Sequence, residues 1–88
     1  MMKIKNGFVI REIAGQSVVV ALGEASRSFN GIIKLNETGR VMWDVLSRGA
    51  EKEDVVSKIL SEYDVDRETV KKDVDSFVNT LKENNILE

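Results

Sequence analysis

Apolar positions in this chain change their rhythm at residue 36. Before it they fall in short blocks rich in β-branched and aromatic side chains; after it they recur at helical spacing. Blocks of the first kind predict strands, and the second spacing predicts amphipathic helices. Phe8–Ile13 and Ser17–Leu22 are two such blocks. The three residues between them, Ala14-Gly15-Gln16, include a glycine, so the pair reads as a hairpin. A polar connection, Gly23–Ser28, leads to a third strand over Phe29–Leu35, with a bulge or turn at Asn30-Gly31.

Asn36 is suited to cap a helix, and Glu37 behind it favours the positive end of the helix dipole. Val41, Met42, Trp43, Val45 and Leu46 mark a first helix that Gly49 stops. A second helix runs from about Glu51 to Tyr63 on the stripe Val55, Val56, Ile59, Leu60 and Tyr63. A third follows Asp66, another good cap, and reaches about Glu83, with Val70, Val74, Phe77, Val78 and Leu81 on one face. Ile86-Leu87 is expected to fold back onto the core. Strands first and helices after them imply an α+β fold, in which a three-stranded antiparallel sheet is covered on one face by three helices. The 88 residues are read as one domain, 1–88.

Composition mostly excludes. Cysteine and histidine are both absent. That removes disulfides, thiolate metal sites, thiol nucleophiles and the commonest general base. The longest uncharged run, Ile13 to Gly23, is 11 residues and too short to span a bilayer. These features predict a non-enzymatic, cytoplasmic chain with no membrane span, no cofactor and no bound metal. The acidic alternation from Glu62 to Glu68 invites a calcium-loop reading. Its sixth position, where such a loop needs glycine, is Arg67, so it reads as a capped inter-helix turn.

Charge is uneven. Residues 1–50 carry seven basic and four acidic side chains, and residues 51–88 six and eleven. A winged-helix arrangement raises the question of DNA, whose usual reader would be the third helix. From Arg67 to Glu83 that helix has four basic and four acidic residues, without the positive excess that phosphates require. Nucleic acid is therefore not an expected partner.

Several blocks together resemble the PqqD-like family: Gly7–Glu12, Phe29–Gly39, Trp43, Glu62–Val65 and Asp73–Val78. The likeness runs in order over roughly Gly7 to Glu88, and Leu35-Asn36-Glu37-Thr38-Gly39 is its most specific part. The resemblance implies a fold similar to a winged helix-turn-helix. It implies recognition without catalysis: binding the leader of a ribosomally made precursor peptide and presenting it to a modifying enzyme, often a radical S-adenosylmethionine protein. In the family the leader adds as a strand to the edge of strand 3 and packs against the third helix. By position that implicates Phe29, Ile32, Ile33, Lys34 and Leu35, and across the groove Val70, Asp73, Val74 and Phe77. Members that serve quinone-cofactor synthesis read closer to Leu-Asn-Gln-Ser-Ala at the junction, so the likeness is to the broader family. The alternative to peptide recognition is a small winged-helix transcription regulator or a general protein–protein adaptor. An open strand edge also leaves two states of association, a monomer or an edge-paired or swapped dimer.

Overall fold

A computed structural model describes residues 1–29 and 31–88, with Ser28 described by its backbone alone. β1 (Phe8–Ile13) and β2 (Gln16–Ala21) pair antiparallel from Phe8↔Ala21 to Ile13↔Gln16. The turn between them is Ala14-Gly15, one residue shorter than the sequence spacing suggests. Both residues have positive φ, 52° and 78°. Two successive left-handed residues give the hairpin turn that matches strand twist. Glycine is a signal for that geometry and alanine is not, which is why Gln16 belongs to the strand although it reads as connection.

β3 (Ile33–Leu35) pairs with the other side of β2, giving the order β1-β2-β3. The hairpin fixes which groups of β3 are free. A two-residue turn makes Ile13↔Gln16 a hydrogen-bonded pair, and bonded and non-bonded pairs then alternate. The Leu22 N–H donates to the Gly7 carbonyl at 2.7 Å, in phase with that alternation. Even-numbered residues of β2 therefore bond to β1, while Ser17 and Val19 face β3. Their partners are Leu35 and Ile33. Lys34, opposite Val18, is left pointing its N–H and C=O along the outer edge of the sheet.

Two sequence expectations are corrected here. The connection after β2 is not irregular throughout: it contains a one-turn helix, α1 (Ala25–Ser28). The third strand does not begin at Phe29, since pairing starts at Ile33. Phe29 instead donates its N–H to Ala25 O at 3.1 Å and is buried. Its ring meets Phe8 edge-to-face at 5.7 Å. Its large apolar surface is used in the core, and Ile32 beyond it stays 60% exposed. Of the expected Asn30-Gly31 bulge, Asn30 lies outside the described residues.

The helices are α2 (Glu37–Ser47), α3 (Lys52–Glu62) and α4 (Arg67–Glu83). Asn36 and Asp66 cap α2 and α4 as expected. Asn36 Oδ1 accepts from the Gly39 N–H at 2.8 Å, and Asp66 Oδ2 from the Thr69 N–H at 3.2 Å. At the start of α3 the Glu51 N–H donates to Asp54 Oδ2 at 2.9 Å. Helix residues Trp43, Leu46, Val55, Ile59, Val74, Val78 and Leu81 form one core with Phe8, Val19 and Leu35 of the sheet. The C-terminal Ile86 and Leu87 join it, and Ile4↔Leu87 and Met2↔Ala50 bridges tie the N-terminal segment down. The α+β class, with antiparallel strands followed by helices over one sheet face, is as the sequence predicts. No helix among the described residues is long and apolar enough to cross a membrane.

Candidate functional site

A groove of about 520 Å³ runs between β3 and α4. One wall is Ile33, Lys34 and Leu35. The opposite wall is Asp73, Ser76, Phe77 and Thr80, residues that share a face of α4. The start of α2 closes one side with Thr38, Gly39 and the buried Met42. Gly39 is closely fitted at this corner. A Cβ there would stand 3.0 Å from the capping oxygen of Asn36 and 3.6 Å from the Leu35 side chain. The groove lies on the core side of the sheet, directly beneath the edge where Lys34 turns its backbone outward.

The nine positions implicated by sequence divide into three groups. Ile33, Lys34, Leu35, Asp73 and Phe77 line the groove. Ile32 is exposed outside it, and Phe29 is packed against Phe8. Val70 and Val74 lie inside the core at 3% and 0% exposure, so neither forms a groove floor. Apolar spacing on a helix cannot tell a wholly enclosed position from one at the rim. The accessible apolar residue of the α4 stripe is Phe77, which is half-buried. Thr38, Gly39, Met42, Ser76 and Thr80 also line the groove but are not among the nine positions implicated by sequence. The first three follow the Asn36 cap, whose helix turns their face towards β3, and Ser76 and Thr80 flank Phe77 at helical spacing.

A second hollow adjoins at the hairpin end, lined in part by Glu12, Glu37 and Arg40. Arg40 spans it: its guanidinium lies 3.7 Å from Glu12 and 3.3 Å from Asp44, and donates to Ser17 Oγ at 3.4 Å. These contacts fix the approach of α2 to β2. Glu37 is held from the other side by Tyr63, whose hydroxyl donates to Glu37 Oε2 at 2.8 Å and links the end of α3 to the start of α2.

That hydrogen bond raises the Tyr63 pKa above the ordinary tyrosine value, assisted by desolvation and by the charges of Glu37 and Glu62. A raised pKa means that the folded chain holds the phenolic proton more tightly than the unfolded chain. The contribution is thus fully present below about pH 10 and is lost as pH rises through the folded value. Tyr63 is the sole tyrosine, so ultraviolet titration of phenolate formation reads it directly. Its midpoint is expected above that of the unfolded chain in denaturant, and Glu37→Gln is expected to narrow the gap.

Among the described residues, no group of three or more carboxylates could hold a metal ion. The groove instead combines an unpaired strand edge, an apolar interior and a few hydroxyl and amide groups. That set suits an extended peptide, whose backbone needs a pairing edge and whose alternate side chains need somewhere to go. The family model described as coenzyme PQQ synthesis protein D (PqqD) matches residues 9–87. The chain belongs to the PqqD family. Two solved structures resemble this PqqD-family chain over nearly its whole length. One is TbiB1 in complex with the TbiA(beta) leader peptide: 30% identical, TM-score 0.76, covering 98% of this chain and 94% of that one. The other is lasso peptide synthetase B1 complexed with the leader peptide, at 23% identity and TM-score 0.76, covering 99% and 96%. At that lower identity it speaks for the fold alone. No curated protein matches the chain.

Proposed function

We propose that this PqqD-family chain is a non-catalytic peptide-recognition domain. It binds the leader of a ribosomally made precursor peptide by strand addition to the outer edge of β3 and presents it to a modifying enzyme, a radical S-adenosylmethionine protein being one candidate. The observation that carries this reading is the coincidence of Lys34's outward-facing backbone with the groove beneath it. The leader-bound state of the 30%-identical relative supports it. An added strand satisfies N–H and C=O groups that are otherwise left to water, and its groove-side residues bury apolar surface against Leu35, Met42 and Phe77. The absence of cysteine and histidine from the whole sequence is consistent with a carrier role. The domain is proposed to act in the cytoplasm, as a monomer or as an edge-paired or swapped dimer.

The test is calorimetric titration with synthetic leaders of the short precursors encoded beside its gene, with NMR to locate the site. Binding at about micromolar Kd is expected, because the ordering of a flexible peptide offsets much of the gain from pairing and burial. Amide shifts should cluster on β3 and the Asp73–Thr80 face of α4. Shifts confined to other surfaces, or a duplex DNA complex tighter than any peptide complex at physiological salt, would exclude the reading.

A further inference from the structure

A strand added beside β3 would meet different charges on its two faces. Twelve residues line the groove, and Lys34 and Asp73 are the only charged ones among them. Neither forms an ion pair with another described residue, although their neighbours do: Lys52 holds Asp75 at 3.1 Å and Arg40 holds Asp44 at 3.3 Å. A charge left without a partner beside an open site is available to a ligand.

The pairing register places these two charges on opposite sides of the sheet. Lys34 pairs with Val18, and Val18 with Arg11, so the three form one row across the face that points away from the helices. The other strand positions on that face are alternate residues of β1 and β2, and none is a carboxylate. Val18 is 4% exposed yet stands outside the helix-covered core. The long stems of its two cationic neighbours are suited to cover it while their heads stay in water. Asp73 lies on the other side, one helical turn before Phe77 on the α4 wall.

Side chains of an extended peptide alternate between faces. The residue directly opposite Lys34 shares its positive face, and the residues on either side of it enter the groove. We infer that the chain selects a segment with an acidic side chain opposite Lys34 and, an odd number of residues away, a basic side chain against Asp73, with an apolar residue at Phe77. This rests on the strand-addition reading and adds to it the charge pattern of the ligand. Each pair of opposite charges at such a half-open site is worth about two- to five-fold in affinity. Reversing one protein charge turns attraction into repulsion, so the acid-to-base preference at the matching position should change by at least about tenfold.

The experiment is selection from a displayed library of random linear peptides on three proteins: the parent, Lys34→Glu and Asp73→Lys. Both substituted residues are exposed, and circular dichroism checks that the variants keep the parent's fold. The parent should enrich peptides with an acid and a base at odd spacing around an apolar residue. Lys34→Glu should reverse the preference at the acidic position only, and Asp73→Lys at the basic position only. Enriched peptides with no charge bias, or with a bias unmoved by the reversals, overturn this inference and leave the recognition reading standing. Failure to enrich any peptide on the parent overturns both.

Discussion

Lys34→Pro should fold and fail to bind, whereas Ile33→Pro should fail to fold. The two positions are adjacent, and the register alone separates them. The Ile33 N–H faces Val19 across the β2–β3 ladder. Proline there removes an internal ladder bond, leaves the facing Val19 carbonyl without its donor at about 1 to 3 kcal/mol, and by its ring pushes β3 away from β2. A chain of this length has a total stability on the order of 4 to 13 kcal/mol, so the melting transition should fall sharply or vanish. The Lys34 N–H faces outward, where proline is tolerated in an edge strand. Its loss should change stability by no more than about 1 kcal/mol. An incoming peptide loses one pairing bond and meets the ring, which should lower affinity by about tenfold or more. Circular dichroism melts give the first result and calorimetric titration of the leader the second. Equal behaviour of the two variants in both measurements would remove β3 as the docking edge.

The difference between these neighbours could not be read from the sequence, although strand 3 itself could. Register depends on the phase of the hairpin turn, and that phase rests on Ala14 adopting a left-handed conformation that carries no compositional signal. The legible elements were those with redundant cues. α2 and α4 each have a capping side chain, a first-turn acid and an apolar stripe, and all three agree. The hairpin has two β-branched runs and a glycine between them. α1 was not legible, because Ala25–Ser28 is a single turn with too few residues to display a period. Phe29 was misplaced for a related reason. An aromatic residue beside Ile32 and Ile33 resembles strand, but its ring is taken by Phe8 before the strand begins. At the groove, the family-like blocks pointed to β3 and α4, the two elements that wall it. They could not separate residues at the rim from those behind it, because Val70, Val74 and Phe77 share one helical stripe and differ only in how far the neighbouring elements close over them.

That distinction can be measured with one kind of substitution at two positions. Val74→Glu and Phe77→Glu both place a carboxylate on the stripe, three residues apart on α4. Val74 is 0% exposed and surrounded by the core. No buried polar side chain is present among the described residues to receive a new charge. An unpaired carboxylate at that depth costs several kcal/mol even after partial relaxation and water entry. Val74→Glu should therefore lose peptide binding because it loses the fold, with a collapsed melting transition and exposure of the buried Trp43 to quencher. Phe77 is half-buried and already borders solvent in the groove, so a carboxylate introduced there can turn outward into water. The Phe77→Glu domain should melt within about 1 to 2 kcal/mol of the parent. Its groove would lack an aromatic anchor worth about 2 kcal/mol, so leader affinity should fall roughly 30-fold. A Val74→Glu protein that stays folded and loses only binding would return Val74 to the groove floor. A Phe77→Glu protein that binds like the parent would take α4 out of the recognition site and leave the edge of β3 as its remaining wall.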